Sequence, residues 1–228
     1  MGKEKELKRI AQYLLLHTSA ISNIGLLHGK MGICIFFFYY ARHTKKEVYK
    51  MYAEDLLDEI YSEINTNVPA NFSNGLYGIG WGIRYLSENK FVKVNSDIVL
   101  KTLDQAVLER DIRRVTDSSL DTGLKGITYY ILSRCADEDS VFAKTNFRYL
   151  NDLLSTLKSV KTDEEMTALI SSLERFISEG KLPKFDLFLR KMIKNTRVSK
   201  WDIWESPRPV GIINNGFAGI GLRMLNVI

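Results

Sequence analysis

Apolar positions recur along this chain in two helical modes. Val48, Tyr52, Leu56, Ile60 and Ile64 fall four apart, with Leu57 and Tyr61 widening the stripe, so the spacing predicts an amphipathic helix there. Leu7, Ile10, Ala11, Leu14 and Leu15 repeat the pattern near the start, and Phe147, Leu150, Leu153, Leu154 and Leu157 repeat it later. A second kind of segment is apolar around most of its circumference: ICIFFFYYAR from 33, IGWGIRYL from 79, ITYYILSR from 127 and IGLRML from 220. A helix of that kind is surrounded by other helices. The alternation predicts outer amphipathic helices, each followed by a buried inner one.

Each buried segment follows a glycine pair. HGKMGI at 28–33 recurs as NGLYGIG at 74–80, TGLKGI at 122–127 and NGFAGIG at 215–221, and every copy reads Gly-x-x-Gly-Ile. The first glycines stand at 29, 75, 123 and 216, so the intervals are 46, 48 and 93. The last interval is about two periods, which places a degenerate repeat between the third and fourth copies. A fixed period in this range marks a repeat architecture with one supersecondary unit per repeat.

The gap supplies that unit imperfectly. Thr162 with Glu165 reads as a capping box opening a helix with Met166, Leu169, Ile170, Leu173, Phe176 and Ile177 on one face, and Gly180 ends it. Pro183 can open a further outer helix to about Asn195, with the last motif supplying its partner. The expectation is an all-α, toroid-like array of five helical hairpins in a single domain over 1–228, with almost no strand.

At the start of an inner helix a glycine can take a positive φ and turn the chain sharply into the helix, while the second glycine lets neighbours approach. The motifs would then gather helix N-termini, with free N–H groups and positive dipole ends, around a central opening. The residues just before the glycines would face it: His28, Asn74, Thr122 with Asp121, and Asn215 with Asn214.

Composition narrows the function. Thirty-two Lys and Arg against 27 Asp and Glu leave a formal charge of +5, but Arg113-Arg114 and Arg190-Lys191 are isolated pairs, so no nucleic-acid surface is expected. Two cysteines, Cys34 and Cys135, are too few for a disulfide framework, and the charged start MGKEKELKR has no secretory pattern, so a cytoplasmic protein is expected. The apolar run 31–41 is too short to span a bilayer.

Candidate chemistry is sparse. His28 is a weak general-base candidate, with Asp121 as an acid or orienting partner. Asp104, Glu109 and Asp111 fall on an outer helix and read as solvated. The stretch WDIWESPRPVG at 201–211 puts Trp201 and Trp204 ahead of the last motif, where they could offer aromatic surface to a peptide or sugar or pin the loop.

LLHGKMGI, FSNGLYGIG and IINNGFAGIG resemble the repeat signature of the lanthionine synthetase C-like family. That resemblance implies an α/α toroid whose inner helices each follow a Gly-x-x-Gly-Ile-like motif. It also implies, for active cyclases, zinc held by two cysteines and a histidine, with a Cys-His pair directly before the glycine of a late motif; the zinc activates a peptide thiol for addition to a dehydrated residue. Here that position reads Asn214-Asn215-Gly216, Cys34 and Cys135 lie well inside inner helices, and His28 is the one histidine at a motif. No cofactor is therefore expected and cyclase activity is not. The resemblance instead implies a zinc-less relative that binds a peptide or a modification enzyme as an accessory in ribosomal peptide maturation. A metal-free enzyme acting on a peptide or glycan, and a structural protein, stay open beside it. Full cyclases resemble rings of about seven hairpins, so five leave room for self-association.

Overall fold

The computed structural model describes residues 2–65, 67–136, 140–180, 187–194, 204 and 208–227. Among these residues every regular element is helical: α1 (Lys3–His17), α2 (Lys30–Thr44), α3 (Glu47–Glu63), α4 (Leu76–Glu88), α5 (Ser96–Val99), α6 (Lys101–Leu108), α7 (Leu124–Arg134), α8 (Val141–Thr145), α9 (Phe147–Ser159), α10 (Glu164–Glu179), α11 (Leu187–Lys194) and α12 (Phe217–Met224). Each Gly-x-x-Gly-Ile motif opens one of α2, α4, α7 and α12, as the repeat pattern predicts. No helix among the described residues is long and apolar enough to cross a membrane.

The chain divides into two compact units. One comprises Met1–Val68 with Asp186–Ile228, the other Pro69–Phe185. In the first, α2 packs along α3, and α12 packs on both α1 and α2, so the last repeat shares a core with the first. In the second, α4 packs on α7, and α10 packs on α7 and α9. The all-round apolar helices are buried as expected: Ile33 to Phe38 are buried without a break in α2, as are Leu76 to Leu86 in α4.

The amphipathic stripes are rotated slightly from the sequence reading. In α3 the buried face is Ala53, Leu56 and Ile60, whereas Val48 and Tyr61 are exposed. In α9 Leu150, Leu153 and Leu157 are buried and Phe147 is exposed. α10 is capped one residue later than Thr162: the Asp163 carboxylate accepts from the Met166 N–H at 2.8 Å, and Gly180 ends the helix at φ +67°. Pro183, expected to open α11, lies outside the described residues. Asp104 is buried rather than solvated, accepting Arg134 Nε and Nη2, both at 2.9 Å, and the Tyr130 hydroxyl, while Arg134 also reaches Asp97 at 2.8 Å. The apolar stripe of α6 gave no hint that its one aspartate faced a buried arginine.

The motif glycines do not use positive φ. Gly29, Gly75, Gly123 and Gly216 sit at φ −125°, −132°, −104° and −69°, all extended. Their requirement is space. The carbonyls of Asn23, Pro69 and Asp117 fold back onto Gly29, Gly75 and Gly123, and Gly211 does so on Gly216, each where a Cβ would stand. The first three carbonyls also accept the first helical N–H, from Lys30 at 2.9 Å, Leu76 at 3.0 Å and Leu124 at 2.8 Å.

A third glycine distinguishes two of the motifs. A Cβ at Gly80 of α4 would run into the ring of Tyr130 of α7, and one at Gly221 of α12 would run into the ring of Phe36 of α2. Gly80 and Gly221 both follow their motif's first glycine by five positions, and Tyr130 and Phe36 both follow theirs by seven. The same glycine-to-ring contact thus joins neighbouring motif helices once in each unit. Two lysines add a polar counterpart. Lys30 Nζ reaches Glu59 at 2.7 Å and Glu63 at 2.8 Å on α3, and Lys125 Nζ reaches Asp163 at 2.6 Å at the start of α10.

Gly221→Ala is expected to destabilise the protein by about 1–3 kcal/mol through overpacking. Phe36→Leu in the same chain is expected to recover part of that loss, giving a coupling of roughly 0.5 kcal/mol or more in a double-mutant cycle measured by urea unfolding. Simple additivity would show that the ring does not confront that glycine.

Candidate functional site

The motif ends are built by paired loops. In the first unit the Ile212 N–H donates to Leu27 O at 2.8 Å, and Gly211 lies against the backbone of Leu27 and His28 so closely that a Cβ would collide. The Ile212 side chain covers Gly32, the second glycine of the first motif. In the second unit the Phe72 N–H donates to Asp121 O at 2.7 Å, and the Phe72 side chain covers Gly126, the second glycine of the third motif. One motif's entry loop therefore lies over another motif's glycine in both units.

The loops also occupy part of each helix N-terminus. Besides the bonds to Lys30, Leu76 and Leu124, the Met31 N–H donates to Ile24 O, the Tyr77 N–H to Asn71 O at 3.2 Å, and the Phe217 N–H to Pro209 O at 2.9 Å. The expected display of free N–H groups is reduced at these starts, because the preceding loop supplies an acceptor to the first N–H of each helix and to the second in α2, α4 and α12.

Side chains at the motif ends separate by unit. His28 in the first unit is half-buried beside the 211–215 loop. Asn214 and Asn215 follow in that loop at φ +57° and +55°, left-handed values that asparagine tolerates better than most residues; Asn214 is exposed and Asn215 half-buried. Two successive residues of this kind close the turn into Gly216, whose N–H donates to Ile213 O at 3.0 Å.

Trp204 also belongs to this unit. Its Nε1 donates to Glu6 at 2.8 Å, its ring stacks on Phe217 at 4.9 Å, and the Arg9 guanidinium lies 4.5 Å above it. The ring is therefore held between α1 and the first residue of α12. Trp201 lies outside the described residues.

In the second unit, Asn74 is half-buried and its N–H donates to Asn71 Oδ1 at 2.9 Å. Asp121 is exposed, and its Oδ1 accepts from the Ser73 N–H at 3.2 Å, so both its carbonyl and its carboxylate hold the loop of the second motif. The Thr122 hydroxyl bonds to Asp117, and the Thr122 carbonyl accepts from Arg110 at 3.2 Å. Asp117 was not singled out in the sequence, although Asp-Ser-Ser before a glycine motif has the makings of a side-chain-to-backbone turn. Hydrogen bonds from the Thr122 hydroxyl and the Ser119 N–H hold its carboxyl below the usual range. His28 and Asp121 stand in different units.

The residues do not fit the family's zinc. Amide side chains are poor zinc ligands, and at Asn214 and Asn215 they serve a left-handed turn. Cys34 donates its thiol to Ala53 O on α3 at 3.3 Å, and Cys135 is buried at the end of α7. Burial raises both thiols, Cys135 to about 12, which opposes the thiolate form that zinc requires. Among the described residues no three of His, Cys, Asp and Glu converge as a metal site would.

Both thiols are expected to resist Ellman's reagent in the native protein at mildly alkaline pH and to react fully in guanidinium, as followed by absorbance. Rapid native reaction of either would contradict their burial.

The profile of the family described as lanthionine synthetase C-like protein matches residues 20–180. The match takes in the first three glycine motifs and the helix capped by Asp163, and ends before Asn214-Asn215-Gly216. Neither the comparison with curated proteins nor that with solved structures returned a match. Three motif helices with matching entry loops, inside one continuous family match, place this chain in the lanthionine synthetase C-like family.

Proposed function

We propose that this chain is a peptide-binding member of its family that works without the cyclase zinc centre, as a recognition or accessory component of ribosomal peptide maturation of the lantibiotic kind. One observation carries the reading: the late-motif position that would hold a Cys-His pair is occupied by Asn214 and Asn215 in a left-handed turn. Both positions hold left-handed backbone, which asparagine tolerates better than most residues, and their amides are poor zinc ligands. Each unit's motif ends still hold polar groups suited to hydrogen bonding a peptide, His28 and Asn215 in one and Asn74 and Thr122 in the other.

The two units form one LanC-like domain in this reading, supported by a family match that runs across the boundary near Val68. Free cysteines support a reducing compartment, the cytoplasm. Trp204, clasped by Glu6, Arg9 and Phe217, serves as a rigid wall beside the last motif.

A fluorescently labelled peptide carrying one cysteine and one dehydroalanine tests this. Saturable binding is expected by anisotropy, weakened about threefold or more by His28→Ala or Asn74→Ala, the loss of roughly one hydrogen bond. After incubation with protein and zinc the cysteine is expected to remain open to alkylation. No saturable binding would remove the peptide role, and protein-dependent loss of the thiol would restore cyclase chemistry.

A further inference from the structure

A second surface in the Pro69–Phe185 unit lies at the opposite end of α4 from its glycine motif. Ser87, Lys90, Val92, Lys93, Val94 and Asn95 line a shallow groove of about 610 Å³, within the ~300–1,000 Å³ range of ligand-binding clefts. The local chain explains its shape. Lys90 takes φ +59° and ends α4, its N–H donating to Ser87 O at 2.9 Å while the Phe91 N–H donates to Leu86 O at 2.9 Å. The stretch after this reversal brings Val92 and Val94, both half-buried, into the groove with exposed Lys90 and Lys93.

The charge of this groove is uncompensated. No carboxylate lines it, and among the described residues neither lysine makes an ion pair. Two unpaired ammonium groups beside an aliphatic floor suit a ligand that brings carboxylates and aliphatic side chains together. The groove is shallow and open, and its lysines and valines come from consecutive stretches of one chain segment, which suits a peptide segment laid across it rather than an enclosed small molecule.

We propose that this groove docks a short acidic peptide segment, with its carboxylates on Lys90 and Lys93 and an aliphatic side chain on Val92 and Val94. The surface is separate from the motif ends and stands whether or not those bind peptide.

A fluorescein-labelled peptide of alternating Glu and Leu provides the probe, with the Lys/Leu peptide and octanoate as comparisons. Lys90→Asn, which keeps a residue tolerant of the left-handed backbone, combined with Lys93→Gln removes both charges. The acidic peptide is expected to bind saturably at low salt and to weaken about tenfold in the double variant, two surface charge contacts being lost. Added salt should weaken the wild type more than the variant. Unchanged unfolding in urea would establish that the variant is folded. No saturable binding, equal binding of the Lys/Leu peptide, or an unchanged affinity in the folded variant would overturn the proposal. Displacement of the peptide by octanoate at lower concentration than by unlabelled peptide would overturn the peptide as occupant.

Discussion

The structure depends on a carbonyl lying where a Cβ would otherwise be. In three of the four motifs the loop before the helix folds back so that one backbone oxygen both rests on the first glycine and accepts the first helical N–H. A side chain at that glycine would lift the loop away and leave a buried donor unpaired, at a cost of about 1–3 kcal/mol for the lost bond alone. With the loop seated, its apolar residue covers the second glycine of another motif, as Phe72 covers Gly126 and Ile212 covers Gly32. The glycines thus join repeats as well as starting helices.

The motif ends derive their chemistry from the same contact. Because the loops take up the first N–H of each motif helix, less of the helix-terminal positive field is available to an anion there. Those side chains are partly committed to structure: Asp121 holds the Ser73 N–H, Thr122 is tied to Asp117, and the asparagines at 214 and 215 close a turn. Asn214 and Asn215 both take left-handed φ in the turn into Gly216, a conformation asparagine tolerates better than most residues.

Much of the fold was legible in the sequence because Gly-x-x-Gly-Ile recurs at a regular interval and each copy precedes a run apolar on all sides. The helices before the motifs were legible too, although a four-residue stripe misplaced Val48 and Tyr61, since helix ends protrude beyond the neighbour that buries the middle. The reason for the glycines was not legible: the clash is with a carbonyl six residues back in a loop that carries no periodic signal. Nor could one-dimensional spacing reveal that Gly80 confronts Tyr130, or that Asp104 faces Arg134, since both pairs join different helices. The departure at Asn214 and Asn215 was readable as a loss of ligands, but its backbone role emerged from the dihedral angles.

The central claim is that the family scaffold persists here while its zinc centre has been replaced by a structural turn. The most direct test is zinc stoichiometry by inductively coupled plasma mass spectrometry on protein folded with excess zinc and then passed through chelator. The account predicts far less than one zinc per chain and an unfolding transition unchanged by chelation. One retained equivalent of zinc, with a transition that falls when it is stripped, would contradict it.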